Sequence, residues 1–172
     1  HVEQWTVTLD TYAVSTGKTS MPFTQLRAQY VNADGFRFKI YNKGTFSGLG
    51  KLLGMQDVEI GAPAFDDTFI IQGTDEGKLS SLFADARLWQ LINTQPYIHL
   101  EVKDDEGWFS AMSSEGVDEL YFQVPSMITD TERLKQLFAL FAETLHHLCY
   151  IGAAYKKRSA SYVMKQRSLT GT

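Results

Sequence analysis

The chain has 172 residues, the usual length of one domain, and this is enough to bury a hydrophobic core without cross-links. Its content of 44% hydrophobic, 21% charged and 13% aromatic residues excludes intrinsic disorder. The formal net charge of −4 disfavours nucleic-acid binding, which needs a basic surface, so we expect no nucleic-acid partner.

The first part of the sequence predicts three antiparallel strands. Apolar and polar residues alternate over residues 5–14, 23–31 and 36–41, as they do in strands with one buried face. Turn-forming residues separate these segments at 15–18 and at 32–35, where Asp34 precedes Gly35. Because the connections are short, we expect a meander in which the third strand lies beside the second.

A glycine-rich apolar segment follows, from Gly44 to Met55. It has two interpretations: a short amphipathic helix that closes one end of the sheet, or an apolar loop offered to a partner or a membrane surface. It is not a phosphate-binding P-loop, because Leu52 stands where that motif needs Ser or Thr after Lys51. The candidate interaction loop consists of Phe46, Leu49, Lys51, Leu52 and Leu53.

The middle of the chain alternates between helical and extended patterns. Phe65 and Phe69 are expected to anchor a turn that leads into a buried strand ending at Gly73. A helix should begin at Asp75, break near Asp85 and end before Pro96. Strands are predicted at 97–103, 108–112 and 120–124.

The last helix should begin after Thr129 or Asp130 and continue to about residue 154. Phe138, Phe141 and Leu145 share one face and are expected to be buried against the sheet. The fold class that results is α+β, an antiparallel sheet of six to eight strands with at least two helices packed on one face. We expect one domain over residues 1–154 and a basic extension over 155–172. The basic residues of this tail are Lys156, Lys157, Arg158, Lys165 and Arg167.

Motifs that carry chemistry are weak. His146 and Cys149 share a helix face, but two ligands do not make a zinc site, so no metal site is assigned. The acidic doublets are adjacent in sequence and serve as turn or cap residues rather than catalytic pairs. No nucleophile motif is present, and we assign no catalytic residue and no cofactor.

The single cysteine makes an intramolecular disulfide impossible, as is typical of a reducing compartment, and we expect a cytoplasmic protein. No run approaches the length of a membrane span, and the first residues do not form a signal peptide. Because the chain begins at His1 rather than Met, we expect residues upstream, where an anchor or a signal would lie.

One long pattern resembles a known group of proteins. It runs from Gly54 through Phe65 and Phe69 to Asp75, then through a leucine-rich helix and the segment from Leu100 to Phe109. It is similar to a family of uncharacterised bacterial proteins, a domain of unknown function, over about residues 36–152. The resemblance implies a bacterial protein that extends further at its N-terminus, and it brings no catalytic residues.

Two functions remain open at this point. The first is a non-catalytic binding or scaffold domain, because no set of residues supplies a nucleophile, a base and an orienting group. Its partner would be another protein, a second copy of the chain or, weakly, a membrane surface reached by the loop and the tail. The alternative is a small-ligand binder or an enzyme whose site forms only in three dimensions.

Overall fold

The computed structural model describes residues 5–15, 17–44, 55–104 and 116–155. These residues form an eight-stranded sheet with four helices, which confirms the α+β class. The strands are β1 (Thr8–Ser15), β2 (Ser20–Asn32), β3 (Phe38–Asn42), β4 (Gln56–Val58), β5 (Phe69–Gly73), β6 (His99–Asp104), β7 (Val117–Val124) and β8 (Ala154–Tyr155). The helices are α1 (Pro63–Thr68), α2 (Glu76–Leu82), α3 (Ala86–Asn93) and α4 (Thr131–Tyr150).

The strand order differs from a meander. The order across the sheet is β1-β2-β7-β6-β3-β5-β4, with β8 beside β2, and every pair is antiparallel. The predicted β1–β2 hairpin forms, but the prediction that β3 lies beside β2 was wrong. The later strand β7 occupies that place, and β3 pairs instead with β5 and β6.

The described helices all contribute to one core on one face of the sheet, which we call the helix-covered face. Phe38 of β3 meets Phe83, which follows α2, edge-on at 5.9 Å between ring centroids. Leu88 of α3 and Phe141 of α4 are fully buried in the same core. Alternate residues of each strand therefore point into this core, and the residues between them form what we call the second face.

Helix α4 begins as predicted, with the Asp130 carboxylate accepting a hydrogen bond from the Arg133 backbone N–H at 2.9 Å. Phe141 and Leu145 are buried as expected, whereas Phe138 is only half-buried against the core. The helix ends at Tyr150, earlier than predicted, because Gly152 adopts φ of +75° just beyond it. The chain then returns to the sheet as β8.

Two local predictions have different outcomes. The break near Asp85 is confirmed, since its carboxylate caps α3 by accepting from the Leu88 N–H at 2.9 Å. The turn before β5 is instead the short helix α1, with Pro63 in its first turn. Phe65 and Phe69 anchor it in the core, with ring centroids 4.6 Å apart. The predicted strand at 108–112 lies outside the described residues.

Candidate interaction face of the sheet

A row of polar side chains crosses the second face from strand to strand. The register places Gln72 opposite Lys39, Lys39 opposite Glu101, Glu101 opposite Tyr121, and Tyr121 opposite Arg27. Because directly opposed residues on one face have Cβ atoms about 5 Å apart, each side chain of the row can contact the next. The sheet therefore brings together charges that are far apart in sequence.

Glu101 is the centre of this row, and we call it, with its three basic neighbours, the Glu101 cluster. Its Oε2 lies 3.3 Å from the Nζ of Lys39, while its Oε1 lies 3.1 Å from the Nε2 of His99 and 3.2 Å from the Nζ of Lys103. Lys39, His99 and Glu101 are all buried. A buried carboxylate with several charged donors is a tightly held group rather than a mobile surface charge.

The electrostatics of the cluster favour an ionised Glu101. Burial alone raises the pKa of Glu101, but the hydrogen bond and charge of His99 and the charges of Lys103 and Lys39 outweigh it and lower the pKa to about 2. Lys103 also lies over the Tyr121 ring, 3.6 Å from its centroid, a cation–π contact that holds the ammonium group beside the carboxylate.

A neutral network of tyrosines and glutamines adjoins the cluster. The Tyr121 hydroxyl lies 2.9 Å from Oε1 of Gln123 and 3.2 Å from Oε1 of Gln25. Gln123 donates from its Nε2 to the Tyr12 hydroxyl at 2.7 Å. Burial, reinforced by interaction with Tyr12, raises the pKa of Tyr121, so the phenol stays protonated further into the alkaline range than an exposed tyrosine does.

The β1–β2 hairpin extends beyond the rest of the sheet. Strand β2 pairs with β7 only from Thr24 onward, so residues 20–23 of β2 pair with β1 alone. On the second face of this overhang, Tyr12 stacks on Phe23 with ring centroids 5.2 Å apart, and Val14 lies opposite Met21. We call Tyr12, Val14, Met21 and Phe23 the ribbon patch. Val14 is 43% exposed and Met21 52% exposed, and because they lie opposite each other they form a contiguous apolar surface rather than isolated exposed residues.

Among the strands that the structure describes, β1 is also an edge of the sheet. It pairs with β2 over eight consecutive residues without a bulge and contains neither Pro nor Lys, the usual devices that protect edge strands. Its one charged side chain, Asp10, is held by Arg27 of β2 at 2.7 Å. The edge therefore presents backbone N–H and C=O groups with little electrostatic protection.

The charges along the strands of the second face nearly balance among the described residues. The cations are Arg27, Lys39 and Lys103, and the carboxylates are Asp10, Asp57, Glu101 and Glu119. Such a surface lacks the basic footprint that a nucleic acid or an anionic membrane requires.

A separate cluster of potential metal ligands joins α3 to α4 on the other side of the molecule. The Nε2 of His147 lies 3.4 Å from Oδ2 of Asp85 and 3.4 Å from Oε1 of Glu143. The second oxygen of Glu143 is 3.5 Å from the Nε of Arg87. The sequence assigned none of these three residues to a metal site. The spacing of four between Glu143 and His147 was a visible signal, whereas nothing in the sequence pointed to Asp85 as their neighbour.

Most residues singled out in the sequence lie elsewhere. The predicted interaction loop at 46–53 and the basic tail at 156–167 are outside the described residues, so their roles stay predictions. His146 is exposed, and Cys149 is half-buried on the same helix. Burial raises the pKa of the Cys149 thiol, which makes it a poor nucleophile at neutral pH. Among the described helices, none has the length and apolarity needed to span a bilayer.

Comparison with known proteins adds little. No family model matches the sequence, and no curated protein matches it either. Among solved structures, the mycobacterial trehalose monomycolate transport factor A, TtfA, is similar over 89% of this chain and 78% of its own, with 10% identity and a TM-score of 0.45. The resemblance to uncharacterised bacterial proteins therefore stays a prediction.

Proposed function

We propose that this chain is a non-catalytic binding domain of a bacterial protein, and that it contacts a protein partner through the ribbon patch and the adjoining edge of β1. The observation that carries the proposal is the overhanging hairpin, with exposed apolar side chains clustered on its second face. Aromatic residues and Met are enriched in protein interfaces, and an unprotected edge strand can pair with a strand from another chain.

The charge of this surface favours a protein over other partners. The ribbon patch is uncharged, and the strands beside it carry nearly equal numbers of cations and carboxylates. A partner would therefore be held by apolar contact and backbone hydrogen bonds, with little dependence on salt. This expectation separates the ribbon patch from the basic tail, whose predicted contacts with acidic surfaces would weaken as salt rises.

The groups most able to do acid–base chemistry are poorly suited to it. With a pKa of about 2, Glu101 is a weak base at neutral pH, and Lys39 and Lys103 already compensate its charge. The Cys149 thiol is held protonated by burial. These features support a structural role for the Glu101 cluster, which would stiffen the sheet from which the hairpin projects.

The test uses site-specific photocrosslinking in cells of the source organism. A photoreactive amino acid is placed at Val14 or, as a control, at Met127, which is more exposed, at 57% against 43%, and lies before α4. We expect a discrete adduct with a second protein from position 14 and none from position 127. Met21→Lys should abolish the adduct, whereas Met127→Lys should not.

The partner identified in this way is then purified and its affinity measured. Met21→Lys should weaken binding at least tenfold because it places a charge in the apolar contact, while Met127→Lys should change it less than twofold. Adducts that form equally at both positions, or that survive Met21→Lys, would contradict the proposal. An adduct of twice the chain's mass would show that the partner is a second copy of this chain.

A further inference from the structure

We propose that Asp85, Glu143 and His147 form a binding site for a divalent transition-metal ion that ties the start of α3 to the C-terminal half of α4. One ligand atom from each residue lies within 4.8 Å of the other two. A tetrahedral zinc site with bonds of about 2.1 Å places its ligand atoms about 3.4 Å apart. The distances from His147 Nε2 to both carboxylates are 3.4 Å, which matches this spacing for two of the three ligand pairs.

The two carboxylates are oriented by neighbours that leave one oxygen of each turned toward the histidine. Asp85 uses Oδ1 to cap α3 through the Leu88 N–H, which leaves Oδ2 facing His147. Glu143 approaches Arg87 through Oε2, which leaves Oε1 facing His147. In known metal sites, contacts between a ligand's remaining atoms and neighbouring protein groups orient the ligand and raise the affinity of the site for its metal.

The backbone around the site is held in place before any ion binds. Glu143 and His147 are four residues apart on one face of α4, and Asp85 is fixed at the first turn of α3. Leu88 and Leu145, which flank these residues on the two helices, belong to the shared core. The entropic cost of bringing the ligands together is therefore already met by folding.

The donor set determines the class of ion. Two carboxylates and one imidazole provide an excess of negative charge, reduced in part by the exposed Arg87. An imidazole nitrogen suits zinc and its neighbours in the first transition row, whereas calcium and magnesium prefer oxygen ligands alone. All three side chains are partly exposed, so a water molecule could complete the coordination. We therefore expect the site to bind Zn²⁺ in preference to Mg²⁺ and Ca²⁺.

The experiment is a titration of the metal-stripped full chain with Zn²⁺ alone, followed by competition against a chromophoric chelator. The unmodified chain should bind one Zn²⁺ and unfold at a higher temperature when it is loaded. Asp85→Asn, Glu143→Gln and His147→Gln should each weaken this binding at least tenfold. Asparagine caps a helix as well as aspartate does, so Asp85→Asn removes a ligand without removing the cap.

The matched control is His146→Gln, because His146 is the exposed neighbour of His147 on the same helix. This variant should bind Zn²⁺ within twofold of the unmodified chain. Substitution with Co²⁺ should give the visible absorption of a four-coordinate site, and His147→Gln should lose it. The absence of one-to-one binding would overturn the proposal. Binding that survives all three ligand variants, or that depends on His146 or Cys149 instead, would overturn it equally.

Discussion

Leu100 and Glu101 are neighbours on β6, and their side chains point to opposite faces of the sheet. Leu100 enters a core that the described helices share, where shape and apolar area determine stability. Glu101 lies among Lys39, His99 and Lys103, where stability depends on keeping its charge paired. One strand therefore contributes to two kinds of stabilising interaction, apolar packing and charge pairing. We expect the two to be lost under different conditions.

The same contrast recurs on the β1–β2 hairpin, where the second face changes from charged to apolar. Near the middle of the sheet, Arg27 and Asp10 pair across the two strands. Toward the tip, Val14 and Met21 replace them and remain exposed. At the centre of the second face the charged side chains are paired with one another, whereas its overhanging end leaves apolar surface uncovered by any described residue. This is why we place the partner at the tip rather than over the Glu101 cluster.

The largest effect is expected on the helix-covered face. Phe141→Ala removes a fully buried ring and should lower the free energy of unfolding by about 3–5 kcal/mol, measured by chemical denaturation. Phe138→Ala, on the same helix but only half-buried, is the control and should cost clearly less. Equal losses from the two variants would contradict the description of α4 as a helix buried on one side.

On the second face, Glu101→Gln should lower the free energy of unfolding by about 3 kcal/mol. The substitution keeps the volume of the side chain but leaves the buried Lys39 without its carboxylate partner. Lys103→Gln is the comparison, because Lys103 is half-exposed and its removal leaves Glu101 paired with Lys39 and His99. A loss as large for Lys103→Gln as for Glu101→Gln would argue against Glu101 as the centre of the cluster.

Acid should weaken the charge pairing on the second face while leaving the apolar packing of the core unchanged. The pKa of Glu101 is about 2 in the folded chain against an ordinary value of 4.5, so the unfolded chain takes up this proton first. Stability that Glu101 provides is therefore complete above about pH 4.5 and is lost as the pH falls toward 2. In urea denaturation at stepped pH, the difference between the unmodified chain and Glu101→Gln should shrink over this interval. Phe141→Ala should instead lose a similar amount at each pH.

Sequence reasoning reached the local elements better than their arrangement. The cap at Asp130 and the break at Asp85 were visible because a capping carboxylate and an apolar helical stripe are both local signals. The end of α4 was also visible in Gly152, whose positive φ is the usual end of a helix, although the prediction ran past it. The position of β3 in the sheet was not visible in the sequence, because an alternating pattern identifies a strand but does not say which strand lies beside it.

The candidate site could be predicted only in part for the same reason. Polar residues at alternate positions of β6 indicate that His99, Glu101 and Lys103 share a face. That Lys39 lies opposite Glu101 depends on the pairing of β3 with β6, which no local pattern specifies. The Asp85 contact to His147 likewise depends on how α3 packs against α4. Long-range packing, rather than residue type, determined what sequence reasoning missed.

The smallest effect, and the sharpest comparison, comes from removing one hydroxyl on each face. Tyr30 is fully buried on the helix-covered face, and its hydroxyl has no hydrogen-bond partner among the described residues. Tyr30→Phe removes an unpaired buried polar group and should raise the free energy of unfolding by about 1 kcal/mol. The Tyr121 hydroxyl on the second face contacts Gln123 and Gln25, so Tyr121→Phe should lower the free energy of unfolding by about 1 kcal/mol. Chemical denaturation of both variants in one buffer measures the signs, and two changes of the same sign would show that the faces do not differ in how they satisfy polar groups.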